Sequence, residues 1–126
     1  MKKLLVLLFS ILISFNSYGE WTFHSTNSKG DKFYLDYETI RTNGGYVYYW
    51  ELVNHKKSDT YGNMSVSAYY QGDCGIFRIN MLSLISHSQS MGTGAREEFN
   101  YEPNWKSAPP SSIRAHTLNL VCDYAN

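Results

Sequence analysis

Apolar and polar positions alternate over most of the chain. The richest alternation is Tyr46 to Val53, YVYYWELV, directly after the breaker Asn43-Gly44-Gly45. At period two, Tyr46, Tyr48, Trp50 and Leu52 share one face, and Val47, Tyr49 and Val53 share the other, interrupted by Glu51. So much apolar surface predicts a central strand of an antiparallel sheet. The expected assignment places Tyr46, Tyr48, Trp50 and Leu52 under cover and leaves Tyr49 partly exposed.

Other elements follow in order. Trp21 and Phe23 alternate in a first strand, and Asn27 to Asp31 reads as a turn. Lys32 to Tyr37 (Phe33, Leu35 and Tyr37 on one face) completes a hairpin. Asp36 to Ile40 predicts one helical turn with Ile40 as a core plug, and Arg41 to Gly45 a bend. Asn54 to Asn63 is polar and turn-forming, the longest candidate loop. Met64 to Tyr70 alternates with one wet face, Gln71-Gly72-Asp73 reads as a turn, and Cys74 to Ile85 as a strand with a bulge near Ser83. Ser86 to Gly94 ends that strand and turns, because Gly92 and Gly94 accept positive φ. Ala95 to Phe99 is a short last strand, and Trp105 is expected to plug the core from an irregular segment. Pro109-Pro110-Ser111-Ser112 then opens a helix with a serine available as N-cap. Ala115, Leu118, Val121 and Cys122 form its apolar stripe.

The N-terminus changes the picture of where this fold is used. Met1-Lys2-Lys3 is positive, Leu4 to Phe15 is apolar, and Ser17-Tyr18-Gly19 ends in small residues: an export signal with cleavage expected after Gly19. The apolar run of about 12 residues falls short of the roughly 20 that span a bilayer. No cysteine near the cleavage point offers a lipid attachment, so no stable membrane anchor is expected after cleavage. The expected mature domain is residues 20–126, periplasmic or secreted. Without Lys2 and Lys3, nine basic residues stand against 11 acidic ones, a net charge of −2, which argues against a nucleic-acid partner. Cys74 and Cys122, the two cysteines of an exported chain, are most simply a disulfide tying helix to sheet.

Candidate chemistry is sparse. His24, His55, His87 and His116 lie at no metal-ligand spacing to one another or to a cysteine, and a haem or metal site would need two of them to meet in space. No nucleophile motif is present. Glu97 and Glu98 point to opposite sides of an extended chain and cannot act together as acid and base. Gly92-Thr93-Gly94 with Arg96 lacks the following helix that an anion site would use. No catalytic residue, metal or cofactor is therefore expected. Eleven tyrosines are the compositional oddity, and tyrosine on an open strand face suits recognition.

An early Trp21, FYLDYETI, GGYVYYWEL, DCGIFRI, SMGTG, Trp105, the PPSS helix entry and a late cysteine, in that order from Trp21 to Cys122, resemble the surface-adhesin protein E family. The resemblance implies an α+β fold: a single antiparallel sheet of about six strands with a C-terminal helix on one face and a helix-to-sheet disulfide. It implies binding of host matrix or serum proteins rather than catalysis, and a homodimer is compatible with it. The expected function is a non-enzymatic binding protein for a protein ligand, with Tyr49, Lys56, Lys57 and Tyr69 as the candidate binding surface. The alternative is a periplasmic binder of a small ligand such as haem or a metal, or an envelope protein of unrelated role. A cleft holding two histidines within about 6 Å of a common point, a loose multiple of a Zn–N bond, would favour that alternative.

Overall fold

The computed structural model describes residues 20–126; the expected leader, 1–19, lies outside the described residues. Eight strands and one helix follow in order: β1 Thr22–Thr26, β2 Lys32–Leu35, β3 Arg41–Asn43, β4 Tyr46–Asn54, β5 Ser65–Asp73, β6 Arg78–His87, β7 Arg96–Asn100, β8 Lys106–Ser107 and α1 Ile113–Ala125. The sheet runs β1-β2-β4-β5-β6-β7, with β3 paired to β4 and β8 to β6, and every pairing is antiparallel. As the alternation predicts, β4 is central. The fold is the expected α+β arrangement.

Local chemistry explains the turns. Gly44 and Gly45 both take positive φ, 60° and 86°, and close a two-residue hairpin between paired Asn43 and Tyr46; this mirror-image turn matches the strand twist. The expected bend at 41–45 is thus a short strand folded onto β4. Asp36 caps the 3-10 turn Tyr37–Thr39 by accepting from the Glu38 N–H, and Ile40 is buried after it, as expected. The β5–β6 ladder has a bulge between Tyr69 and Tyr70, opposite Ser83 and Met81, where the long strand was expected to bend. Ser112 caps α1 by accepting from the Ala115 N–H at 3.0 Å, and Ala115, Leu118, Val121 and Cys122 are all buried.

Three expectations are corrected. Gly72 lies inside β5 rather than in a turn. An added Cβ there would lie 2.7 Å from Leu118 Cδ1 and 3.0 Å from Val47 Cγ2, so the missing side chain is what lets the helix settle on the sheet. The turn moves to residues 74–77, where Asp73 Oδ1 accepts from the N–H groups of Gly75 and Ile76. Trp105 does not plug the core: half-buried, its ring packs on Tyr46 at 5.3 Å with the Arg78 guanidinium 4.3 Å away. Finally, the faces of β4 are reversed. Tyr49 is 1% exposed and sits in the core with Val47, Tyr70, Leu118 and Val121, whereas Tyr46, Tyr48 and Trp50 are only half-buried on the side away from the helix.

Leu52 shares that second face yet is fully buried, because a different element covers it. The 3-10 turn Ser90–Gly92 folds over the end of the sheet, bringing the Gly92 backbone close to Leu52, His87 and Trp21. Ser65 Oγ donates to Gln89 O at 2.7 Å and accepts from the Gly92 N–H at 2.9 Å, and Asn54 Oδ1 accepts from the Met91 N–H. Both faces of β4 are therefore covered in part, by two different segments.

Cys74 and Cys122 are bonded, with a Cα–Cα distance of 5.9 Å, which joins the segment after β5 to the last turn of α1. Cys122→Ser is expected to lower stability by about 2–4 kcal/mol, since the bridge closes a long loop in the unfolded chain; denaturant melts with and without reductant measure it. Tyr49→Ala should open a core cavity and cost about 3–5 kcal/mol. Trp50→Ala, on the half-open face, should cost clearly less, and the same melts rank the two.

Candidate functional site

The residues on the side away from α1 are set by strand parity. Tyr46, Tyr48 and Trp50 of β4 stand beside Gln71 and Tyr69 of β5 in the register Tyr48↔Gln71 and Trp50↔Tyr69. Trp50 and Tyr69 lie 4.9 Å apart between ring centroids, and Tyr48 stacks on Tyr69 at 6.2 Å. At the β1–β2 edge, Phe23, 52% exposed, meets Tyr34 edge-on at 5.8 Å. The rings are interleaved with amides: Gln71 Nε2 donates to the Tyr48 hydroxyl at 3.1 Å, Gln71 Oε1 accepts from Asn80 Nδ2 at 3.2 Å, and Asn80 Oδ1 accepts from the Asn104 N–H at 2.9 Å. Each amide is thus held in one orientation. Arg41 pairs with Tyr48 across the β3–β4 ladder, which adds a cation to the border of this face.

The expected binding residues separate in space. Tyr69 stands on this face. Tyr49 does not: it is buried under α1, and burial, then the nearby Glu51 carboxylate, pushes its hydroxyl well above the usual tyrosine range. Lys56 and Lys57 are exposed beyond the end of β4, beside the β1–β2 turn. There the Lys56 N–H donates to Asp31 Oδ1 at 3.0 Å, the largest cause holding Asp31 below the usual carboxylate range. Six residues of extended chain, roughly 20 Å, separate Lys56 from Trp50 along the sequence. In the same loop Asp59 Oδ1 accepts from the N–H groups of Tyr61 and Asn63, leaving the Tyr61 ring 90% exposed. Trp50, Tyr48 and Phe23 were legible as an alternating aromatic face; reading the parity from the covered side passed over them.

The helix side holds the polar cluster that sequence spacing did not show. His24 of β1, Glu51 of β4 and His116 and Thr117 of α1 meet at one seam. His24 Nε2 lies 3.6 Å from Glu51 Oε2, the His24 side chain is 5% exposed, and the His24 and His116 rings are 5.6 Å apart. Two of the four histidines therefore meet in space. They face each other across the seam between β1 and α1, and neither borders the cavity that Glu51 lines. Among the described residues no group of three or more His, Cys, Asp or Glu side chains is placed to hold a metal. His55 pairs with Asp31 at 3.8 Å, and His87 is buried with Nε2 2.9 Å from the Ser67 hydroxyl.

The match to known proteins agrees with this fold. The sequence model of the family described as Surface-adhesin protein E matches residues 21–123. No curated protein matches the chain. Crystal form II of Haemophilus influenzae protein E is similar with a TM-score of 0.70 at 17% identity, over 84% of this chain and 90% of that one. A second structure of Haemophilus influenzae protein E gives 0.67 at 17% identity over 82% and 83%. Protein E from non-typeable Haemophilus influenzae gives 0.64 at 17% identity over 82% and 75%. At such identities the likeness establishes the fold.

Burial, then Arg96, lowers the pKa of His87 below its ordinary 6.5. Above that pH both folded and unfolded states hold it neutral. As pH falls from about 6.5 towards the lower folded value, the unfolded chain takes up a proton that the folded chain refuses, so stability is lost. Between pH 7 and 5, His87→Gln should lose less stability than the wild-type chain, measured by urea melts at each pH.

Proposed function

We propose that this chain, which belongs to the surface-adhesin protein E family, is an exported, non-enzymatic binding protein that recognises a protein ligand through the sheet face opposite α1. The reading rests on one observation: Trp50, Tyr48 and Tyr69 form a contiguous, half-exposed ring cluster on a face that no described helix crosses. Truncation of such rings at interfaces frequently removes most of the binding energy, and their low side-chain entropy keeps the cost of ordering small. The half-buried Gln71 amide, oriented by Tyr48 and by the buried Asn80, supplies a hydrogen-bonding group already held in place.

The family's name and the alternating rings support a protein partner, and host matrix or serum proteins are the class that the family implies. Lys56, Lys57 and the exposed Tyr61 lie at the loop end of the same sheet, a second point of contact for a large partner. Export, with removal of residues 1–19, is part of the proposal, because such a partner lies outside the cytoplasm.

Trp50→Ala and Tyr69→Ala should each weaken binding of the partner recovered by a pull-down of the whole protein by about tenfold or more, the size of a hot-spot truncation. Both variants should keep a cooperative melt. Lys57→Ala should change affinity less, because an isolated rim charge mainly affects association rate. Undiminished binding by both aromatic variants would send the search to another surface; surface plasmon resonance gives all three affinities.

A further inference from the structure

On the helix side, between the first turns of α1 and strands β2, β4, β5 and β6, lies a cavity of about 360 Å³ lined mainly by apolar side chains, among them Phe33, Val53, Tyr70 and Ile79. This volume is in the range of small-ligand sites. Two charged residues also line it, Glu51 from the sheet and Arg114 from α1. Glu51 is 7% exposed and Arg114 is exposed, so the carboxylate belongs to the floor and the guanidinium to the rim.

Glu51 is incompletely satisfied. Its Oε2 accepts from Thr117 Oγ1 at 2.8 Å and faces His24 Nε2. The Thr117 hydroxyl has one proton and also lies 2.8 Å from Ile113 O, so it is shared between the two acceptors. Oε1 has no hydrogen-bond partner among the described residues, and it is not among the atoms sealed from solvent without a partner, so an incoming donor can reach it. A cation or a strong donor entering the cavity would find in it an acceptor with free capacity. A half-open, mainly apolar cleft with an acid at its floor and a cation at its rim is complementary to a ligand with an ammonium, an adjacent apolar side chain and a carbonyl or carboxylate beyond.

We propose that the cavity between α1 and the sheet binds an α-ammonium group with an adjacent apolar side chain, as in a free apolar amino acid or a peptide N-terminus, with Glu51 receiving the ammonium. Phe33, Val53, Tyr70 and Ile79 surround the side chain. Arg114 and the start of α1 face the ligand's carbonyl or carboxylate end, where a helix N-terminus also favours negative charge. The site is separate from the aromatic face on the other side of the sheet and does not depend on its function.

Titration of the full isotope-labelled chain with L-phenylalaninamide and with 3-phenylpropanamide, which lacks only the ammonium, tests this by NMR. The amine should bind at least about tenfold more tightly, the weight of a charge-assisted hydrogen bond, and shift the amide signals of Glu51, Ile113 and Thr117. Glu51→Gln, nearly isosteric and still able to accept from Thr117, should abolish the preference while a thermal melt shows the fold retained. Equal affinity for the two compounds in the wild-type chain would overturn the proposal, as would absence of binding up to their solubility limits or shifts confined to the Trp50 face. The wild-type comparison stands even if the variant fails to fold. Phenylalanine against Phe-Gly-Gly then separates the sources: tighter tripeptide binding identifies a site for peptide N-termini, tighter phenylalanine binding a site for the free amino acid.

Discussion

One helix has to cover a sheet that is too wide for it. Thirteen residues make an α-helix of roughly 20 Å, and it is only about 10 Å across with its side chains. Six strands side by side extend over roughly 24 Å. α1 therefore chooses one position and leaves the remainder to other devices. Its seat is fixed by close approach at Gly72, where Leu118 occupies the space a side chain would fill, and by the Cys74–Cys122 bond at its last turn. From that seat follow the burial of Tyr49, the cavity beside Glu51 and the open face opposite.

The two faces of β4 consequently have different fates although their compositions are similar. Beneath the helix, Val47 and Tyr49 join Tyr70, Leu118 and Val121 in the core, and Glu51 is buried among them with His24 and Thr117 as partners. On the far side, the turn Ser90–Gly92 covers Leu52 by hydrogen bonds through Ser65 and Asn54, and coverage stops there. Trp50, Tyr48 and Tyr69 lie beyond the reach of both. Core packing and half-exposed aromatic surface are thus divided between the two sides of one sheet, so substitutions on one side can be read separately from those on the other.

Much of this was written in the sequence because it depends on short-range chemistry. The Ser112 cap, the apolar stripe of α1, the turn at Asp36, the bulge opposite Ser83 and the centrality of β4 follow from local preference and period. The pairing of Cys74 with Cys122 was expected from two cysteines in a chain whose N-terminal pattern reads as an export signal, and the two are bonded. The side of β5 that carries Val66, Ala68 and Tyr70 was also legible, but the opposite side, expected to be wet, is not: Ser65 and Ser67 are buried, hydrogen-bonded to the Gln89–Gly92 segment and to His87.

What only the tertiary structure decided is which side of β4 shares that inward set. Seven of eight residues from Tyr46 to Val53 are apolar, so alternation gives two equivalent faces, and the Glu51 carboxylate marked the wrong one as open. The answer lies in the register Tyr49↔Tyr70 across the 54–64 loop, and a slip of one residue would exchange every side chain between faces. No local pattern encodes that register. It is set by the fit of Leu118 over Gly72 and by the His24–Glu51–Thr117 contacts, which bring together residues up to 93 positions apart. Sequence periodicity determined that the strand has two apolar faces; three-dimensional packing, acting between distant segments, chose which became core and which remained half-open.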